Sequence, residues 1–150
     1  MLLPLLTGSA LMMLNVVLHA LGTLGLIRYL GRRYTDDQGK IRAHKALSAV
    51  ISMMGGLLLL HTLEISLWAL SYYRFLPQNT LSTWEESVYF SFVTYTTLGY
   101  GDISLQVPWW RLLSGIEALS GVLLLGWSTA LLFALVQKSW RDLVRQQFCG

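Results

Sequence analysis

Long apolar runs broken by short polar stretches set the plan of the chain. The first run, Met1 to Ile27, holds no charged residue. At about 1.5 Å per residue it exceeds the ~30 Å hydrocarbon core of a bilayer. Pro4 falls in its first turn, where a missing N–H costs nothing. A polar connector follows, from Arg28 to Lys45, with Asp36-Asp37-Gln38-Gly39 as its turn. Ala46 to Tyr72 is the second apolar run, and Trp68, Tyr72 and Tyr73 near its end read as an aromatic belt at a membrane interface. Pro77 and Asn79 are the turn formers of the loop that follows. Next comes an amphipathic stretch too short to cross. Ser82-x-x-Glu85 and Thr83-x-x-Glu86 are overlapping capping-box candidates, so a helix is predicted to begin near Trp84 and to run to about Thr96. Pro108 closes the next loop, Trp109-Trp110 anchor an interface, and Arg111 to about Val136 is the last long run. The pattern predicts an all-α membrane protein. Three helices cross, and a short helix enters and returns between the second and third.

Composition agrees. Apolar residues make up 54% of the chain and charged ones 13%, about half the charge of a soluble domain. The net charge of +3 reflects local clusters and does not call for a nucleic-acid partner. Of the 11 Lys and Arg residues, Arg28, Arg32, Arg33, Lys40, Arg42 and Lys45 lie in the connector, and Lys138, Arg141 and Arg145 follow the last span. Only Arg74 and Arg111 lie on the other side, so the connector and tail are expected in the cytoplasm and the N-terminus outside. Gly8, Ser9, Gly22 and Gly25 in the first span, and Gly55-Gly56 in the second, are small enough for a neighbouring helix to come close. Cys149 stands alone, so no intrachain disulfide forms.

The residues between the short helix and the last span carry the chemistry. In Thr96-Thr97-Leu98-Gly99-Tyr100-Gly101-Asp102, two glycines flank one aromatic, and glycine adopts backbone conformations closed to other residues. Such a backbone can turn successive carbonyls to one side. Several such rows around an axis would offer a desolvated cation a ladder of oxygen cages. The negative end of the preceding helix dipole favours a cation there as well.

Thr97 to Asp102 resembles the potassium-channel selectivity filter, Thr-Val-Gly-Tyr-Gly-Asp, with Leu98 in place of Val. With Tyr89-Phe90-Ser91-Phe92-Val93-Thr94 on the short helix and the two flanking spans, the resemblance covers roughly Ala46 to Val136. It is to the pore module of bacterial two-helix and two-pore-domain potassium channels. The expected division is therefore an extra span with its connector (1–45), a pore domain (46–137) and a basic tail (138–150). The tail is too short for a ligand-binding regulatory domain. The first span lacks an Arg at every third position and is not a voltage sensor.

The resemblance implies a homotetramer in the lipid bilayer, since each chain carries one filter. It implies K⁺ as the permeating ion, no cofactor and no catalysis. The carbonyls of Thr97, Leu98, Gly99 and Tyr100 and the Thr97 hydroxyl would form the cages, with Gly101 completing the filter and Thr96 and Asp102 supporting it. The Leu98 and Tyr100 side chains would point away from the ions and pack behind the filter. Val93 stands where some members carry a Glu that braces the Asp. A hydrogen bond from Tyr89 to Asp102 is expected to replace that brace. Gly121 matches the inner-helix hinge. Val122, Leu125, Thr129 and Phe133 would then face the pore, with a ring of Phe133 closing it by dewetting. Because of Leu98, a weakly selective cation channel is the alternative. A pore-loop transporter is disfavoured by the intact Gly99-Tyr100-Gly101, and a non-conducting regulatory subunit by the intact filter. An enzyme lacks any Ser/His/Asp set or His-Glu-x-x-His. The expected location is a prokaryotic inner membrane.

Ionisable residues inside the spans are costly and need partners. His61 and Glu64 share one helix face, and Glu117 lies in the last span. Counted from Tyr72 and Arg111, Glu64 and Glu117 lie about 12 Å and 9 Å deep. They are expected to meet in one cluster with Ser91 or Thr94, behind the short helix, as a structural clamp or as a proton-sensitive gate. His-x-x-Glu is half of a bundle metal motif, which alone is weak evidence for a metal. Asn15 and His19 are each expected to bond a neighbouring helix or their own preceding turn.

Overall fold

The computed structural model describes residues 2–36, 39–76 and 81–148, with backbone alone at 43 and 145–148. The expected turn residues Asp37, Gln38, Pro77 and Asn79 lie outside the described residues, as do Cys149 and the Arg145 side chain. Four helices follow in order: α1 (Leu2–Tyr34), α2 (Ala46–Phe75), α3 (Trp84–Tyr95) and α4 (Arg111–Phe148). Short 3₁₀ turns, Ala43–Lys45 and Pro108–Trp110, precede α2 and α4. Among the described residues the only strand-like pairing is an isolated bridge between Thr35 and Ile41. Leu2–Tyr34, Ala46–Phe75 and Pro108–Val144 are long and apolar enough to cross a membrane. This is an all-α integral membrane protein.

The short helix begins where its cap dictates. Thr83 is extended, its Oγ1 accepts the Glu86 N–H at 3.1 Å, and Glu86 Oε2 accepts the Thr83 N–H at 3.3 Å. Of the two candidate boxes this one forms, because Glu86 Oε2 also takes the Ser82 N–H and hydroxyl. Three donors thus share one carboxylate oxygen at the end where a helix favours negative charge.

The chain divides into two compact units. The first is Met1–His19 with His61–Leu125. Its core joins Ile65, Trp68, Tyr72 and Leu76 to Leu81, Phe90, Tyr95, Leu105, Trp110 and Leu113. Tyr72 meets Phe90 edge to face, with ring centroids 5.1 Å apart. The expected aromatic belt is corrected here. Trp68 and Tyr72 are fully buried, and Tyr73 alone of the three faces outward. Likewise Trp110 is buried while Trp109 is exposed. Lipid tails are as apolar as these side chains, so the unit gains from close packing more than from escape from water. Gly8 supplies such an approach: a Cβ there would lie 2.7 Å from the Ile116 Cδ1.

The second unit is Ala20–Leu60 with Gly126–Gly150. Leu30, Ala49, Met53 and Leu57 form its core, flanked by Leu26, Tyr34, Leu131, Leu132 and Leu135. The Tyr34 hydroxyl and Ser52 Oγ lie 2.7 Å apart. Asp36 organises the expected connector turn. Its carbonyl accepts the Gly39 N–H and its Oδ1 accepts the Lys40 N–H. Beyond the turn, the buried Ile41 N–H donates to Asp142 Oδ2 at 2.9 Å. That latch from connector to α4 had no signal in the sequence, because Asp142 reads as one more polar residue of a charged tail.

Candidate functional site

The segment after α3 is shaped by its N–H groups. Those of Thr97, Leu98 and Gly99 do not continue the helix. Thr97 donates to the Thr94 carbonyl at 3.0 Å, while Leu98 and Gly99 both donate to the Val93 carbonyl, at 3.0 and 3.3 Å. No peptide bond among the described residues is cis. In a trans peptide the carbonyl points opposite to the N–H of the next residue. The carbonyls of Thr96, Thr97 and Leu98 therefore point away from α3. φ is positive at Thr97 (58°), Gly99 (56°) and Gly101 (80°) and at no other residue of the segment. Alternation of hand is the geometry that gathers N–H groups on one side and carbonyls on the other. Glycine meets this demand without strain at two of the positions, and Thr97 meets it at a cost.

The supporting residues divide in two. Thr96 Oγ1 donates to the Phe92 carbonyl at 2.6 Å, so this hydroxyl serves the end of α3. Val93 supplies its carbonyl, which accepts from both Leu98 and Gly99. The Tyr89 hydroxyl donates to Asp102 Oδ2 at 2.6 Å. This hydrogen bond holds the Asp102 carboxyl below its ordinary range, and it lifts the Tyr89 phenol above its own. Leu98 and Tyr100 were expected to pack behind the segment. In the single chain they are 56% and 68% exposed, so the subunit's own α3 does not cover them.

Gly121 is buried against the end of α3: a Cβ there would run into the Tyr95 carbonyl oxygen. Its lack of a side chain thus serves a close approach. Of the stripe expected on α4, Val122, Thr129 and Phe133 are exposed. Leu125 departs from it and packs partly against the core of the first unit. It lies three residues from Val122, and the helical repeat of 3.6 turns it towards that core.

The buried ionisable residues form two hydrogen-bonded groups: His61 and Glu64 meet as expected, while Glu117 bonds apart from them. Glu64 is fully buried and holds three partners. His19 Nδ1 lies 2.8 Å from its Oε1. His61 Nδ1 lies 2.9 Å from its Oε2, to which the Tyr95 hydroxyl also donates at 2.7 Å. Glu117 is not hydrogen-bonded to this group. Its Oε2 accepts the Tyr72 hydroxyl at 2.7 Å. Its Oε1 and the buried Ser91 and Ser120 hydroxyls make no well-formed hydrogen bond among the described residues, but Ser91 lies close enough to the Glu117 carboxyl to interact with it, as expected. The depth count missed this because it took Tyr72 as an interface marker, whereas Tyr72 is the partner.

His19 and Tyr95 complete the Glu64 group, and the sequence reading had placed neither there. His19 stood out only as a polar residue in an uncharged run, 45 positions from Glu64. Tyr95 carried a usable signal. Ser87, Ser91 and Tyr95 recur every four residues on α3, and all three are buried.

A family model described as an ion channel matches residues 59–138, just over half of the chain. No curated protein and no solved structure matches. The matched segment holds the end of α2, all of α3, the glycine segment and most of α4, and it leaves α1 outside.

Proposed function

The chain belongs to the ion-channel family, and from that premise we propose that it is a K⁺-selective channel that conducts passively through a four-fold ring of its Thr97–Gly101 segments. The observation that carries this reading is the row of N–H groups tied back to α3, which leaves the opposed carbonyls of the same peptides free to face an axis. Thr97, Leu98, Gly99 and Tyr100 supply the oxygens, and the Thr97 hydroxyl adds the innermost cage. K⁺ is the cargo. One segment per chain requires four chains, and neighbouring subunits then cover the exposed Leu98 and Tyr100 side chains. The pore domain is 46–137, and Gly121 is the hinge of its inner helix. Val122, Thr129 and Phe133 face the conduction path. The basic connector and tail lie in the cytoplasm and the N-terminus outside.

The test is ion flux from liposomes that hold the purified full-length chain, under a K⁺ gradient and then a Na⁺ gradient, at two pH values. K⁺ flux without Na⁺ flux, abolished by Gly99→Ala, is the expected result, because alanine is strained at the φ of +56° found there. Equal fluxes reject selectivity and point to Leu98. No flux of either ion at either pH rejects conduction by the chain alone.

A further inference from the structure

Two imidazoles and a carboxylate converge in the interior of the first unit. One ring nitrogen of His19, one of His61 and one Glu64 oxygen all lie within 4.8 Å of one another. The rings of His19 and His61 are 5.2 Å apart at their centroids, and each presents Nδ1 to the same carboxylate. The Tyr95 hydroxyl closes the group, 2.7 Å from Glu64 Oε2 and 3.3 Å from His61 Nδ1. We propose that His19, His61 and Glu64 form a binding site for a divalent transition-metal ion of the zinc class, with the Tyr95 oxygen as the fourth ligand atom.

The donor chemistry selects the ion. Two neutral nitrogens and one carboxylate oxygen suit zinc and its transition-metal neighbours, whereas magnesium and calcium call for oxygen cages. Geometry allows it. Tetrahedral bonds of about 2.0–2.1 Å place ligand atoms roughly 3.3 Å apart. The present hydrogen bonds of 2.8 and 2.9 Å need open by only about half an ångström, which rotation of the two imidazoles supplies. Each imidazole then moves its proton from Nδ1, where it now bonds Glu64, to Nε2 and gives the freed Nδ1 lone pair to the ion. Burial helps in turn. His19 and Glu64 are fully buried and His61 is 8% exposed, so a bound ion meets little competition from solvent. The four ligand atoms come from three helices, and His19 lies on α1, outside the segment that matches the ion-channel family. The site is thus a property of this chain's added helix. An ion there would tie α1 to α2 and to the last residue of α3, next to Thr96.

The experiment uses the full-length chain carrying Cys149→Ser, purified in detergent, stripped of metal and titrated with Co²⁺. The expected result is one equivalent per chain with the intense visible bands of four-coordinate cobalt. Zn²⁺ should displace it. His19→Gln and His61→Gln should each weaken binding by at least about 100-fold, more than the loss of an outer-shell partner. His44→Gln should bind as well as the parent, since His44 is exposed on the connector. If a buried-site variant does not fold, the parent's stoichiometry and spectrum still decide. Weak bands of six-coordinate cobalt, no stoichiometric binding, or full binding in both His19→Gln and His61→Gln would each overturn the proposal. None of these readings depends on whether the chain conducts K⁺.

Discussion

Two buried glutamates in the same unit are seated in opposite ways. Glu64 is surrounded: both of its oxygens are engaged, by His19, His61 and Tyr95. Glu117 is equally buried, but its one well-formed hydrogen bond comes from Tyr72, with the Ser91 hydroxyl close by. Burial alone therefore does not define the role of an acid in a membrane span. A carboxylate that gathers several donors is the centre of a structure, because each donor would otherwise be orphaned. One that meets mainly a single hydroxyl is held by fewer bonds and organises less of its surroundings.

The comparison can be broken most directly at Glu64. Glu64→Gln leaves the converging donors facing an amide with one acceptor oxygen. A loss of about 3–5 kcal/mol is expected, read as a large drop in the thermal midpoint of the purified protein. Gly121→Ala comes next. It touches neither carboxylate, but its Cβ collides with the Tyr95 carbonyl and displaces the residue that donates to Glu64. About 1–3 kcal/mol should be lost, with α4 otherwise intact by circular dichroism. Glu117→Gln should matter far less, within about 1 kcal/mol, since an amide oxygen still accepts from Tyr72 and its NH₂ can donate to the neighbouring Ser91 hydroxyl. Equal destabilisation by Glu64→Gln and Glu117→Gln would refute the contrast.

The smallest effect is expected at Tyr89→Phe, because the Tyr89–Asp102 bond is exposed. Its pH dependence has a definite sign. Asp102 is held below its ordinary value, so the bond contributes fully above about pH 4 and fades as pH falls through the lower folded value. Tyr89 is raised, so the contribution is complete below about pH 10 and is lost as pH climbs through the higher folded value. Stability curves of the parent and Tyr89→Phe should therefore converge at both extremes. A constant gap between them at all pH values would show that the hydroxyl bond is not its source.

These residues also show what a sequence displays and what it hides. The spans, the capping box at Thr83 and Glu86, and the glycine segment were readable, because each depends on neighbours a few positions away. The Tyr89–Asp102 bond was readable too, since a short helix and its return bring them close. The seat of Glu64 was not. Helical periodicity says which face His19 or Glu64 occupies, but the height and rotation of α1 against the rest of the first unit follow from packing such as Gly8 on Ile116. An error of one helical turn in that height exchanges one partner for another. Tyr72 was misplaced for a related reason: an aromatic near the end of a span has the same appearance whether it meets lipid or a buried acid.

Tyr95 is held at two points. Its side-chain oxygen is bonded to Glu64 on α2, and its main-chain oxygen rests on the bare backbone of Gly121 on α4. The peptide that begins at that main-chain oxygen leads directly into Thr96 and Thr97. Were α4 to rotate about Gly121, the close contact with the Tyr95 carbonyl would leave little slack to absorb it. Either the phenol lets go of the carboxylate, or the torsions of the next two residues change and the first carbonyls of the row turn with them. In mechanical terms Tyr95 is an arm pinned at both ends, and what it holds in place is the start of the glycine segment.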